Sequence, residues 1–298
     1  MTPSGAPQAP GSELTVLALG LGFVVMWSSA FTSARIAVAD APPFLILSAR
    51  FFLSGAVAVL ISRALGQRLV LNRAGWTALV LFGISQNTLY LGLNFVAMQT
   101  IEASLAVVIA SALPLTVAAA RWIVAGERLP ILGILGLAAG SLGVVIFMAG
   151  RLEGGADPFG ILLALVGLAA LTLATLMVQG ASSGGALLMV VGAQMLVGAV
   201  TLLPLSLIFE TWEINWTRSL FLAFAYTTIV PGLIATLTWF VLVGRVGATR
   251  ASSFHFLNPF FGVAIAAAIL GEVIAVRDLL GVVVVAVGIW CVQRARHV

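Results

Sequence analysis

Gln86, Tyr90 and Asn94 stand at i, i+4 and i+8 inside a long apolar run, so on a helix they share one face. An amide–phenol–amide stripe offers donors and acceptors without fixed charge, which suits a zwitterionic small molecule. Interhelical hydrogen bonding is the competing use of such side chains. Farther along, His255 and Asn258 lie at i, i+3 just before Pro259. An imidazole there can bind a carboxylate or exchange a proton, its ordinary pKa being about 6.5, or it can bond a neighbouring carbonyl. Trp27 with its neighbour Ser28, Tyr226 and Trp239 complete the candidate substrate-binding set. Trp76, Trp212, Trp216 and Trp290 fit an interfacial aromatic belt better. Pro114, Pro231 and Pro259 are the candidate hinges, because proline removes a helix donor and clashes with the preceding turn; a kink that only improves packing is the alternative.

Other chemistries fit poorly. With 2 His and 1 Cys in the chain, no metal site is expected, and no other cofactor is implied. Gly180-Ala181-Ser182-Ser183-Gly184 has the G-x-S-x-G form of a nucleophile elbow, with His255 the one base to partner Ser182. That elbow needs a strand before it and a helix after it, and here it is a Gly/Ser connector. The chain is read as a non-enzyme.

Hydrophobic residues make up 61% of 298 positions and charged residues 8%, against about 25% in soluble domains. A bilayer is the medium for such a chain. Runs of about 20 apolar residues, the length a bilayer core requires, fall roughly at 14–34, 44–62, 75–97, 103–122, 131–149, 159–179, 185–208, 219–243, 250–270 and 278–293. Glu13 precedes the first run with no basic segment, so it is expected to be a retained helix and not a signal peptide. Loop arginines set the orientation. Arg63, Arg68, Arg73, Arg121, Arg128, Arg245, Arg250, Arg294 and Arg296 fall on one side, and Arg35, Arg151, Arg218 and Arg277 on the other, which places both termini in the cytosol. Arg50, inside the second run, is expected to snorkel outward. The arginines form no basic patch, so nucleic acid is not an expected partner.

Sliding residues 103–143 forward by 145 positions aligns Ala103 with Ala248, Pro114 with Pro259, Gly126-Glu127 with Gly271-Glu272, Gly136 with Gly281 and Gly143 with Gly288. The chain therefore divides into a first repeat, 1–150, and a second, 151–298. Five spans per repeat is an odd number, so the second repeat must be inverted relative to the first. Gly133, Gly136, Gly140 and Gly143 form a small-residue seam that predicts close packing of the fifth helix, against the tenth. Glu127 and Glu272 are expected to cap helices or to pair with Arg128 and Arg277.

Trp27-Ser28-Ser29-Ala30-Phe31, Arg50-Phe51, Gly126-Glu127-Arg128 and Gly271-Glu272 resemble the EamA-type drug/metabolite transporter superfamily over nearly the whole chain. Gln86-Asn87-Thr88-Leu89-Tyr90 and the aromatic-rich eighth and ninth spans look most like its YddG-type amino-acid exporters. The resemblance implies a ten-helix basket around a central cavity and export of small metabolites.

The expectation is thus an all-α integral protein of a bacterial-type inner membrane, with ten transmembrane helices in two inverted five-helix repeats. Its partners are the lipid bilayer and a small neutral metabolite; amino acids, aromatic ones included, are the expected cargo. Nucleosides or drug-like compounds on the same fold are the alternative, and a non-transport membrane protein the remote one. No carboxylate falls at mid-span, which favours facilitated diffusion over proton coupling. Oligomeric state is not legible in the sequence.

Overall fold

Ala41-Pro42-Pro43 stops one helix and starts the next, since proline cannot continue a helix yet fits its first turn. In a computed structural model, which describes residues 10–124, 126–178 and 186–295, such punctuation delimits ten apolar helices. They are α1 (Pro10–Asp40), α2 (Pro43–Ala64), α3 (Arg73–Ala97), α4 (Ala103–Ile123) and α5 (Ile131–Glu153), then α6 (Pro158–Val178), α7 (Leu187–Phe209), α8 (Arg218–Val246), α9 (Phe254–Leu270) and α10 (Val276–Ala295). All but α9 are long and apolar enough to cross a bilayer, and no strand occurs among the described residues. The Gly/Ser connector with the elbow-like pattern lies outside the described residues.

The break expected between α8 and α9 near residues 243–250 is absent. Helix runs unbroken from Ala235 to Ser252, tightens into a 3₁₀ turn over Ser253–Leu257, and resumes at Asn258 with Pro259 in its first turn.

Glycine contacts display the two-fold relation between the halves. A Cβ placed on Gly143 would lie 2.8 Å from the Gly281 carbonyl, and one on Gly136 2.8 Å from that of Gly288. Exchanging equivalent positions turns the first pair into the second (143 to 288, 281 to 136), as an isologous contact requires. The α5–α10 seam is therefore self-complementary about an axis between the repeats. α2 and α7 also approach closely, with a Cβ on Gly55 lying 2.9 Å from the Gly192 carbonyl and one on Gly192 3.0 Å from that of Gly55. These are the two most extensive helix pairings, and both join the inverted repeats. Between them sits a continuous apolar core in which Leu47, Leu105, Phe147, Leu202 and Ile289 are fully enclosed.

Candidate functional site

Regular α geometry fails where the polar and proline residues fall. α3 opens into a π-helical stretch over Ile84–Leu91, α4 is interrupted at Ala112 just before Pro114, and α8 carries a π turn over Val230–Ile234 at Pro231. Wide π turns of this kind recur at functional sites because they free backbone groups and re-aim side chains. These segments surround a cavity of about 1400 Å³ between the repeats.

Gln86, Tyr90 and Asn94 all line it, although the π stretch departs from the α spacing on which their shared face was expected. Asn87 joins them and donates from Nδ2 to the Gln194 carbonyl at 2.8 Å, holding α3 to α7. Asn94 Nδ2 donates to the Tyr90 carbonyl at 2.9 Å, and its Oδ1 is enclosed without a partner.

Trp27, Trp239, His255 and Asn258 form the opposite wall. The imidazole is boxed by aromatic rings, with centroids 5.2 Å from Phe23, 6.1 Å from Trp27 and 5.1 Å from Trp239. The Asn258 amide lies against the ring, with Nδ2 2.8 Å from His255 Nδ1. Asn258 Oδ1 is left enclosed and unpartnered. Of the hinge residues, Pro114 and Pro231 reach the cavity lining, whereas Pro259 is buried behind Asn258.

Ser28 and Tyr226 are placed elsewhere. The Ser28 hydroxyl donates to the Asn258 carbonyl at 3.2 Å, fastening α1 to α9, and the Tyr226 phenol bonds Ser29 Oγ at 2.8 Å beside a 38% exposed ring.

Phe23 and Arg50 are among the lining residues that sequence reasoning missed. Phe23 lies one helical turn before Trp27, a spacing that could have revealed it. Arg50 does not snorkel outward: it is 8% exposed, lines the cavity, and carries an enclosed Nε with no hydrogen-bond partner. No ion pair or hydrogen bond reaches its guanidinium among the described residues, and no Asp or Glu lines the cavity there. The Arg50 Cζ lies 5.4 Å from the centroid of the Phe51 ring.

The cavity lining runs out to Leu71, Asn72, Leu187 and Gln293 on the face where α1 begins and α10 ends. The other face is closed by polar contacts between the repeats. Asn215 N–H donates to the Asp40 carbonyl at 2.8 Å, and the Thr217 hydroxyl to Asp40 Oδ2 at 2.6 Å. Phe44 and Leu45 N–H groups, at the start of α2, donate to the Glu210 carboxylate at 2.6 and 3.0 Å. Within the first repeat, Arg35 donates to the Met98 and Gln99 carbonyls at the same face.

Ala103 and Ser104 N–H groups, opening α4, donate to the Glu272 carboxylate at 2.8 and 3.1 Å. Glu272 is thus a helix cap delivered from the other repeat, where a negative charge meets the positive helix end. Arg151 bridges Glu102 and Asp278, the latter at 3.1 Å, and Arg277 pairs with Glu153, not with Glu272. Burial pushes the Glu102 carboxyl above its ordinary value, with the Arg151 guanidinium opposing. On the open face Glu127, the counterpart of Glu272, bonds Arg121 six residues back, and not Arg128. The positions equivalent to 103 and 104, residues 248 and 249, lie inside a continuous helix with no free end to cap. The two faces of an otherwise symmetric molecule therefore differ, one sealed and one open.

Two inverted halves around a polar–aromatic cavity that is open to one face and sealed at the other define a membrane transporter. The chain belongs to the EamA-like transporter family, which matches residues 14–149 and again 158–294. It is similar to the uncharacterized transporter YvbV of Bacillus subtilis (25% identity, covering 94% of this chain and 92% of that one). It is also similar to the uncharacterized inner membrane transporter YedA of Escherichia coli K12 (26% identity, covering 88% and 86%). A solved crystal structure matches the fold with a TM-score of 0.65 at 19% identity, covering 95% of this chain and 99% of that one.

Proposed function

We propose that this chain exports small neutral amino acids, aromatic ones included, by alternating access and down their own gradient. The observation that carries the reading is the pair of enclosed, unpartnered amide carbonyls, Asn94 Oδ1 and Asn258 Oδ1, in one cavity walled by Trp27 and Trp239. Orphaned buried acceptors are costly, and a ligand bearing donors and an apolar body satisfies them. The loop arginines argue for both termini in the cytosol, so the cavity described here opens inward, the loading state of an exporter. The inner-membrane relative from Escherichia coli supports placing this chain in a bacterial inner membrane. The lack of a carboxylate among the described lining residues favours carriage without a coupled proton.

Alternation follows from the inverted repeats: each half adopts the other's conformation, bending at Pro114, Pro231 and Pro259, so the seal forms on the opposite face. The test is counterflow into liposomes holding purified protein, with labelled phenylalanine, labelled leucine and a labelled nucleoside, with and without a pH gradient. Saturable amino-acid flux that ignores the gradient is expected. Flux of the nucleoside alone would overturn the substrate, and flux that follows the gradient would overturn the mechanism.

A further inference from the structure

We infer that Arg50 is the anchor for a substrate carboxylate, and that the cavity therefore selects singly charged carboxylates and zwitterions against cations. The inference deepens the amino-acid reading and rests on it for the zwitterion. Arg50 lies seven residues into α2, about 10 Å along the helix from the sealed end at Pro43. Its side chain is turned into the cavity lining, with the residue 8% exposed. A cation held in an apolar protein interior ordinarily has an anionic partner, because charge leaves water at high cost. Here no described side chain supplies one, and Nε remains enclosed without an acceptor. Phe51, whose ring flanks the guanidinium, Phe31 and Phe95 line the same cavity.

The missing partner is what the transported molecule brings. A planar carboxylate matches the guanidinium fork and cancels its single charge. A phosphate dianion would leave a net negative charge in the same enclosed space. The other unsatisfied atoms have the opposite polarity: Asn94 Oδ1 and Asn258 Oδ1 accept, so either suits the ammonium of the same molecule, and Trp27 and Trp239 stand in the same wall as Asn258. Among the described lining residues, Arg50 Nε is a donor without an acceptor, and Asn94 Oδ1 and Asn258 Oδ1 are acceptors without a donor, the polarity that complements an amino acid's two ends.

The test measures thermal stabilisation of purified full-length protein and competition against phenylalanine counterflow. The panel is phenylalanine, phenylalaninamide (carboxylate removed), phenethylamine (ammonium without carboxylate) and 3-phenylpropionate (carboxylate without ammonium). Phenylalanine and 3-phenylpropionate are expected to stabilise and compete, and the two compounds lacking the carboxylate to do so about 10- to 100-fold less well, the worth of a charge-assisted hydrogen bond. Arg50→Gln should bring the acid and the amide to equal potency, and Arg50→Lys should restore part of the discrimination, a change that a merely structural role would not produce. Should Arg50→Gln fail to fold, the panel on the unaltered protein decides alone. Stabilisation by 3-phenylpropionate without phenylalanine would keep the anchor and overturn the amino-acid reading. Equal potency of acid and amide, preference for phenethylamine, or no effect of either carboxylate would overturn the anchor.

Discussion

Glu272→Gln isolates the seal from the cavity. Glu272 accepts two N–H groups from the first turn of α4, at 2.8 and 3.1 Å, although it belongs to the loop after α9 in the other repeat. Glutamine keeps the size but has a single acceptor oxygen and no charge, so one hydrogen bond and the attraction to the helix end are lost. Hydrogen bonds to charged groups and helix-end charges together put that loss at about 1–2 kcal/mol, a roughly 5- to 30-fold shift toward the state with this face open. The assay is pulsed electron spin resonance between labels on Gln99→Cys and Val276→Cys, both exposed on the sealed face, in a Cys291→Ser background. Glu272→Gln should add a population at longer distance, and phenylalanine counterflow should change in rate while the acid-over-amide preference stays fixed. An unchanged distance distribution would refute the reasoning that this cap holds the face shut.

Other substitutions probe the remaining parts. Gly143→Leu should destabilise the fold by about 2 kcal/mol or more, because a Cβ there would lie 2.6 Å from the Val285 backbone nitrogen; a melting temperature in detergent equal to that of the unaltered protein would contradict the seam. Arg151→Ala should cost about 3 kcal/mol, since it leaves the 2% exposed Asp278 carboxylate without its cation, whereas Arg121→Ala on the open face should cost no more than about 1 kcal/mol. Equal melting points for those two variants would show that the ion pairs on the two faces do not differ. Tyr90→Ala should lower flux without reducing membrane insertion or monodispersity, and normal flux would remove the α3 stripe from the site.

The sequence carried the helices and their inversion because both are written in one dimension. Apolar runs of bilayer length and the Pro…Gly-Glu block repeated at 145 positions need no tertiary knowledge, and the glycine seam between α5 and α10 follows from spacing. Rotation and partnership were less legible. α2 is apolar almost all round, so its pattern does not say which way Arg50 faces, and only packing against α7 turns it into the cavity. The π stretch over Ile84–Leu91 has no residue signature, so the stripe was placed by α arithmetic on a helix that departs from it. Glu272 was expected to act at a helix end, but the end it caps lies 169 residues away, beyond any local pattern. Ser28 and Tyr226 were polar and aromatic in suitable spans yet serve contacts between helices, a use that composition does not separate from ligand binding.

The most direct test of a substrate cavity between the repeats is protection of a thiol placed in its wall. Ala110 lines the cavity and takes no part in the polar constellation, so Ala110→Cys in the Cys291→Ser background should carry phenylalanine normally until a thiol reagent is added. The account predicts that alkylation abolishes flux and that phenylalanine slows alkylation in proportion to its occupancy. Alkylation that proceeds at the same rate with saturating phenylalanine, and leaves flux intact, would contradict it.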